Sequence, residues 1–277
     1  MKHKRFREAF FGFLLILPSL TILAFLYFYP LVTSIWTSFI ANNKISLLNY
    51  KKVVELYLRD VIYSVGITVA TVLIVSMLSI AIAGYLRFRQ WKFLDIMYRL
   101  PLFIPFLIVG HAMRIFLAPH GTLNNFLTRL IGVKELPGLS RSWIGLLWAF
   151  IWVMTPYAAI VVVGAFRALD NSYIEAAQSL GASKLKVLFT IIIPMCRSSI
   201  VVTMILTFVR TISSLTIPAL VGPNSPAMIT IDMMFRINFF NDWGVANALG
   251  VVSYLIVVIL AVYYLKFMSA ERGGIKG

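Results

Sequence analysis

The chain has 277 residues, of which 60% are hydrophobic and 13% are charged, and its mean hydropathy is +0.90. Soluble domains contain about 45–50% apolar and about 25% charged residues, so this composition excludes a soluble globular enzyme and intrinsic disorder. A single cysteine, Cys196, excludes an internal disulfide framework and a cysteine-based zinc site. The composition therefore indicates an integral membrane protein.

Six apolar windows are long enough to cross about 30 Å of hydrocarbon as helices that rise 1.5 Å per residue. They cover, approximately, residues 10–35, 62–86, 97–118, 143–166, 190–218 and 246–266. The apolar runs are too long for the strands of a membrane barrel and do not alternate with a period of two. We therefore predict an all-α fold with six transmembrane helices, forming a single transmembrane domain over residues 1–277.

The first window follows a basic stretch, Met1–Arg7, and such a start is also typical of a cleaved signal peptide. The apolar run continues through Tyr29 without an Ala-x-Ala-like cleavage site, which favours a retained helix. With the N-terminus inside, the inner segments hold 14 of the 25 Lys and Arg residues and the outer loops hold 8. The ten acidic residues divide five to five. The positive-inside rule then predicts that both termini are cytoplasmic.

The net charge of +15 is explained by this topology and by attraction to anionic membrane lipid, so nucleic acid is not an expected partner. Prolines inside spanning helices are tolerated where neighbours satisfy the freed carbonyl groups. Pro101 and Pro105 therefore predict bends in the third span, as static packing kinks or as parts of a moving gate.

The inner loop between the fourth and fifth spans predicts a short helix at about residues 173–180. Ser172 and Glu175 have the spacing of a capping box at its start, and Gly181 is suited to the left-handed conformation at its end. One face of this helix carries Tyr173, Ala176 and Leu180, with Ala177 beside them. Two turns of helix are unstable alone in water, so we expect a partner to pack on this segment.

The same loop carries a spaced motif. Glu175-Ala176-Ala177 is followed after three residues by Gly181 and after nine more by Ile191-Ile-Ile-Pro194. This pattern resembles the EAA loop of the permease subunits of type I ABC importers, with Ile193 where leucine is usual. The resemblance implies that the loop is a cytoplasmic coupling helix that docks on an ATP-hydrolysing subunit. Its implied ATPase-coupling residues are Glu175, Ala176, Ala177 and Gly181.

Other stretches resemble the same family more loosely, over residues of about 10–266. They are Leu17-Pro18, Tyr29-Pro30-Leu31, Ser38-Phe39, Pro101, Pro105 and Gly121-Thr-Leu-Asn124. The resemblance implies a non-catalytic permease with its core at about 62–266, in the inner or plasma membrane of a prokaryotic cell. The implied partners are two ATP-binding subunits, a second permease that is identical or homologous, an extracytoplasmic solute-binding protein and membrane lipid, with no cofactor or metal.

Two arginines are predicted to lie in the outer half of the membrane. Arg210 follows Arg197 by 13 residues, about 20 Å along a helix, and Arg114 follows Arg99 by 15 residues, about 22 Å. Two interpretations are open. In the first, both arginines bond backbone carbonyls or extend their charged ends toward water; in the second, they line the translocation path and favour an anionic solute. Hydroxyl side chains near Arg210 are further path candidates: Thr211, Ser213 and Ser214. These hydroxyls are equally suited to close packing between helices.

The solute class stays open between two interpretations. The stretch from Ser214 to Gly222 is similar to permeases for polyamines, phosphonates or ferric iron, whereas the first helix fits a carbohydrate or sugar-phosphate permease equally well. The unpaired arginines make a polycation the least suitable of these solutes.

Two other functional classes are less well supported by the sequence. An ion-coupled secondary transporter usually places carboxylates in the membrane, whereas the six windows contain no Asp or Glu and acids such as Asp95 lie only at their interface edges. An intramembrane enzyme or an ATP-binding chain would need motifs that are absent here, including His-Glu-x-x-His, Gly-x-Ser-x-Gly and the P-loop.

Overall fold

The computed structural model describes residues 13, 15–89, 91–132 and 137–273. The basic stretch Met1–Arg7 and both chain termini, on which the predicted orientation partly depends, lie outside these residues. In chain order the described helices are α1 (Leu15–Ser38), α2 (Leu48–Phe88), α3 (Lys92–Met97), α4 (Phe106–Phe116), α5 (Thr122–Ile131), α6 (Trp143–Ala168), α7 (Asn171–Ser179), α8 (Lys184–Met195), α9 (Arg197–Ile212), α10 (Thr216–Val221), α11 (Ile229–Asn238) and α12 (Trp243–Gly273).

Three short features interrupt or join these helices. Single π-helical turns occur within α1 at Ala24–Phe28 and within α8 at Leu188–Ile192, and a 3₁₀ turn at Leu100–Phe103 follows α3. Between α1 and α2, β1 (Ile40–Ala41) and β2 (Lys44–Ile45) form a small antiparallel hairpin in which Ile40 lies opposite Ile45. The predicted all-α class is confirmed.

Four helices, α1, α2, α6 and α12, are long and apolar enough to cross a membrane. Two pairs of helices joined at a sharp bend pass the same test. The first pair is α3, with its 3₁₀ turn, and α4; the second is α8 and α9. The described residues therefore contain four to six candidate spans. Each of the six predicted windows falls on one of these elements. The count of six spans stays a prediction, because it requires each bent pair to be one span.

The third span bends where the prolines predict it. The segment Lys92–Phe103 meets α4 at 102°, and Pro105 is the residue immediately before α4. Pro101 lies in the first positions of the 3₁₀ turn. Proline lacks a backbone N–H and clashes with a continuing helix, which accounts for the break. The bend predicted at Pro105 is confirmed, whereas Pro101 lies within the segment before it and a separate bend there stays a prediction.

The window predicted as the fifth span, at about 190–218, contains breaks that were not predicted from the sequence. α8 and α9 meet at 74° around Cys196, two residues after Pro194, and α9 ends at Ile212 before the separate helix α10. A hydropathy window detects apolar length but not a break in helix direction, and Pro194 supplies a cause for that break. The second window is too short for a related reason, since α2 has 41 residues and its polar first turns are helical.

The chain divides into two compact units, of which the first combines residues up to Leu56 with Met233–Val252. In this unit the buried Asn49 amide donates to the carbonyl groups of Ser38 and Ile40, both at 2.9 Å. The Ser34 hydroxyl donates to the Asn247 side-chain oxygen at 2.9 Å. The Asn49 amide thus satisfies two backbone carbonyl groups at the start of the hairpin.

The second unit combines Tyr57–Asp232 with the residues from Ser253 onward. One buried cluster centres on Phe150 of α6, and another joins Phe166 of α6 to Val187 and Ile192 of α8. Gly84 of α2 lies in close contact with Leu188, since a Cβ on Gly84 would lie 2.9 Å from the leucine Cδ2. The second cluster is the support on which the loop helix α7 packs.

Candidate coupling and translocation sites

The loop helix α7 is capped at its start by Asp170. The Asp170 carboxylate accepts a hydrogen bond from the backbone N–H of Ser172 at 2.9 Å. This bond lowers the pKa of the Asp170 carboxyl below its usual value. The predicted capping box of Ser172 and Glu175 is therefore wrong, because the helix begins at Asn171 and Ser172 lies inside it. Asp is as strong an N-cap residue as Ser, and its position decides where the helix starts.

The end of α7 has the predicted geometry. Gly181 has a φ of +82°, in the left-handed region that favours glycine. Its N–H donates to the Gln178 carbonyl at 2.9 Å, and the Ala182 N–H donates to the Ala177 carbonyl at 3.0 Å. This pair of bonds is a complete Schellman motif. Both ends of this short helix are thus fixed by the loop itself.

The faces of α7 have different environments. Ile174 is buried, and Ala177 packs with it against the internal cluster of α6 and α8. Tyr173 and Leu180 are 51% and 89% exposed, and Ala176 and Glu175 are exposed as well. The resemblance groups Ala177 with the contact residues, but the structure turns its side chain inward. The open face is formed by Tyr173, Ala176 and Leu180.

Arg87, in the last turn of α2, joins that helix to the start of α7. The Arg87 Nη2 atom donates both to the Leu169 carbonyl, at 2.8 Å, and to the Asn171 side-chain oxygen, at 2.6 Å. Sequence reasoning missed this contact because the partners are more than 80 residues apart. The only signal was an arginine at the inner end of a long apolar helix.

A second set of charges lies near this anchor. The Asp95 carboxylate accepts from Arg99 at 2.8 Å and lies 3.3 Å from the Arg167 guanidinium. Arg167 is in the last turn of α6, so this carboxylate links α3 to the end of the helix that leads into α7. Arginine side chains thus tie the start of α7 to α2 and the end of α6 to α3.

Arg210 lies at a pocket of about 500 Å³. Its guanidinium carbon is 4.4 Å from the centre of the Tyr157 ring, the geometry of a cation–π contact. Phe106 meets the same tyrosine edge-on, with 6.0 Å between ring centres. The pocket is lined by Phe106, Val153, Met154, Tyr157, Arg210, Ser213, Ser214, Leu215, Thr216 and Ile217. The two aromatic residues were not predicted as path candidates.

Only some of the predicted path residues lie together in this pocket. Arg210, Ser213 and Ser214 share the pocket, but Thr211 does not line it: its side chain is fully buried and its hydroxyl donates to the Thr207 carbonyl at 2.8 Å. Helical spacing turns Thr211 about 100° away from Arg210, toward a packed side of α9. Arg114 is exposed on α4, outside this pocket. Within the described part of the chain it has no hydrogen bond, ion pair or ring contact.

The depth estimated for Arg114 also needs correction. The 22 Å estimate took Arg99 and Arg114 to lie on one straight helix, whereas a 102° bend separates them. The estimate for Arg210 is unaffected, because Arg197 and Arg210 both belong to the continuous helix α9.

Two acidic residues take part in packed structure. The Asp60 carboxylate on α2 accepts from the Ala227 N–H at 2.8 Å, and the Ser64 hydroxyl accepts from the Ile229 N–H at 2.8 Å. Asp232 on α11 is only 9% exposed. Hydropathy windows placed both acids in outer loops, because such windows do not detect the polar first turns of α2 or the short helix α11. The Asp60 carboxylate therefore helps to hold the segment that leads into α11.

The spans, the broken helices and the capped loop helix define a multi-pass, all-α integral membrane protein. The sequence profile described as "Binding-protein-dependent transport system inner membrane component" matches residues 76–270, and the chain belongs to this family of transport permeases. It is a permease subunit of a type I ABC importer, an inner-membrane protein.

Relatives with different solutes cover nearly the whole chain. The trehalose/maltose transport system permease protein MalF of Thermococcus litoralis is 25% identical and covers 97% of each chain. The spermidine/putrescine transport system permease protein PotB of Escherichia coli is 25% identical over 88% of this chain and 92% of that protein. A solved bacterial ABC transporter involved in the import of alginate has a TM-score of 0.83 at 17% identity, over 97% and 98% of the two chains, which supports the fold.

Proposed function

We propose that this chain forms half of a solute translocation pathway and is driven through α7 by a separate ATP-hydrolysing subunit. The observation that carries the proposal is the open face of α7: Tyr173, Ala176 and Leu180 are exposed on a helix that is capped at both ends. An exposed apolar face on a short, ordered helix is suited to docking in a partner's groove. Glu175 and Gly181 lie at the edges of this face.

The proposed assembly contains two such ATP-binding subunits, a second permease that is identical or homologous, and an extracytoplasmic binding protein that delivers the solute. The whole chain acts in it as one permease domain, with both termini and α7 on the cytoplasmic side. The excess of Lys and Arg in the inner segments supports this orientation.

The proposed mechanism is alternating access. A ligand shifts an equilibrium only by binding its two states differently, so closure of the ATPase subunits must hold α7 differently from their open form. Movement of α7 then reaches α2 through Arg87 and the α6–α8 cluster through Ile174. The bends at Pro105 and Cys196 are places where the spans change direction.

Site-directed crosslinking tests the docking surface. Cys196 is buried, so a cysteine at an exposed position reacts selectively. Ala176→Cys is expected to crosslink to the ATP-binding subunit, whereas Ala219→Cys, an exposed alanine on α10, is the matched control and is expected not to. Equal crosslinking of both variants, or none from Ala176→Cys in an assembled transporter, contradicts the proposal.

Reversing the charge of Glu175 is expected to abolish uptake while solute binding by the extracytoplasmic protein stays intact. Glu175 is exposed and has no ion pair with any described residue, so Glu175→Lys changes the docking surface rather than an internal contact. Glu175→Gln keeps the shape and is expected to lose less. Uptake into proteoliposomes and retention of the ATP-binding subunit during purification measure the two effects, and unchanged uptake by Glu175→Lys contradicts the assignment.

For the solute, we propose a small polar molecule that passes the Arg210 pocket. An exposed guanidinium over Tyr157, with Ser213 and Ser214 beside it, suits an anionic group and fits a phosphonate-type solute better than a polyamine. Ferric iron carried by an anionic chelator belongs to the same class. A carbohydrate or sugar phosphate is the second candidate, favoured by the aromatic pair Phe106 and Tyr157 and by the full-length likeness to MalF.

Replacing Arg210 with glutamine distinguishes an anionic solute from a neutral carbohydrate. For an anionic solute, loss of the cation is expected to slow uptake about tenfold, since hydrogen bonds to charged groups contribute about 1.5–3 kcal/mol. For a neutral carbohydrate, Arg210→Gln is expected to change uptake less than twofold. Arg114→Gln, on an arginine outside the pocket, is the matched control. Transport of the solute bound by the cognate binding protein is the measurement, and an unchanged rate for an anionic solute contradicts the role of Arg210.

A further inference from the structure

A second pocket, of about 600 Å³, opens between α2 and α8 on the side of the unit that carries α7. Ligand sites in proteins typically have volumes of about 300–1,000 Å³. Its lining is almost entirely apolar except at one end: Met77, Ile80, Ala81, Gly84, Tyr85, Phe88, Arg89, Lys184, Leu185, Leu188, Phe189 and Ile193. We refer to it as the α2/α8 groove.

The polar end of this groove is cationic. Arg89 and Lys184 are both exposed, and neither forms an ion pair with a carboxylate of the described residues. Arg89 is held over the ring of Tyr85, with 6.0 Å between the guanidinium carbon and the ring centre. Two uncompensated cations at the mouth of an apolar groove match a ligand with an apolar body and a negatively charged head.

The dimensions of the groove match one leaflet of a membrane. Met77 and Arg89 are 12 residues apart along the end of α2, which corresponds to about 18 Å at 1.5 Å per residue. Half of the hydrocarbon thickness of a bilayer is about 15 Å. The groove therefore has about the length of the hydrocarbon of one leaflet, and its cations lie at one end of that length.

The sides of the groove leave room for such a chain. Met77 and Phe189 are 71% and 65% exposed, whereas Leu188 at the base is buried against Gly84. The base is set by that close contact, because a larger residue than glycine at position 84 would push Leu188 outward. Leu188 also begins the π-helical turn of α8, so the groove lies beside the broken span.

We propose that the α2/α8 groove binds an anionic glycerophospholipid of the cytoplasmic leaflet, with its phosphate at Arg89 and Lys184 and an acyl chain along Met77, Ala81 and Phe189. The proposal rests on the proposed function only for the side of the membrane, since α7 and the groove mouth then face the cytoplasm. The cytoplasmic leaflet carries the negatively charged lipids, and each nearby Lys or Arg strengthens binding to them.

Native mass spectrometry of the detergent-released transporter tests the site. Palmitoyl-oleoyl phosphatidylglycerol and the corresponding phosphatidylcholine are the two probes, and the wild type is expected to retain the first more strongly. Each basic residue contributes about fivefold, so Arg89→Gln with Lys184→Gln is expected to weaken phosphatidylglycerol binding about 25-fold and to remove the headgroup preference. Lys186→Gln, on the same helix but outside the groove, is the matched control and is expected to change binding less than twofold.

A third variant tests the apolar part of the α2/α8 groove. Ala81→Phe fills the exposed side of the groove without changing charge, and it is expected to weaken retention of both lipids. The masses of the complexes report whether each variant assembles, so a misfolded variant is recognised in the same spectra.

The proposal is overturned by no headgroup preference in the wild type, by an equal loss in Lys186→Gln, or by a photocrosslinker at Phe189 that attaches the second permease instead of lipid. Displacement of the phospholipid by inorganic phosphate at millimolar concentration also overturns the proposal, because the phosphate group alone, without an acyl chain, is then the ligand. Failure of the proposed function has a different signature, namely that no ATP-binding subunit accompanies the chain while lipid binding is retained.

Discussion

Replacing Gly181 with valine is expected to abolish solute uptake while the extracytoplasmic protein still binds its solute. Gly181 has a φ of +82°, and its N–H closes the last turn of α7 on Gln178. A non-glycine residue in this region costs about 1–2 kcal/mol, and a β-branched residue is an outlier there. That cost reduces the fraction of loops with the intact turn by about 5–30-fold.

The effect of valine does not come from a clash within this chain. A Cβ at position 181 meets no atom within 4 Å, so the added side chain projects away from the described residues toward any docked partner. Two causes are therefore combined, a strained turn and extra bulk at the docking surface.

Gly181→Asn separates these causes, because asparagine adopts positive φ more readily than other residues. The asparagine variant is expected to keep the turn and to retain more uptake than valine. Proteoliposome uptake, ATP hydrolysis and solute binding are measured for both variants. Wild-type uptake by Gly181→Val removes Gly181 from the coupling role.

The spanning helices were predictable because hydropathy is a property of consecutive residues. The windows at 143–166 and 246–266 fall within α6 and α12, since a membrane-spanning helix must be apolar over most of its length. Gly181 was predictable for a related reason: a left-handed residue at a helix end is a local requirement of the backbone.

Contacts between distant segments were not predictable in this way. Asp170 replaced Ser172 as the cap because a shift of two residues is decided by how the loop leaves α6. The burial of Thr211 depends on which side of α9 packs, and the sequence of α9 alone carries hydroxyls on more than one side. The break at Cys196 follows Pro194 by two residues, but its angle of 74° depends on how α8 and α9 pack in the folded chain.

Arg87→Met is expected to uncouple ATP hydrolysis from transport. The Arg87 guanidinium ties the last turn of α2 to the Leu169 carbonyl and to Asn171, at the point where α7 begins. Methionine retains much of the apolar volume but donates nothing, so both acceptors lose their charged donor. Hydrogen bonds to charged groups contribute about 1.5–3 kcal/mol, which corresponds to roughly a 10–150-fold change in the population of the anchored loop.

The variant is expected to hydrolyse ATP but to import several-fold fewer solute molecules per ATP, because α7 moves without moving α2. Arg87→Lys keeps the charge but carries it on a flexible stem without the rigid guanidinium plane, so an intermediate ratio is expected. Combining Arg87→Met with Asn171→Ala forms a double-mutant cycle. If the two residues act through their shared contact, the double variant is expected to be less impaired than the sum of the single effects. Strict additivity, or a normal transport ratio for Arg87→Met, contradicts a path of movement from α7 to α2 through this arginine.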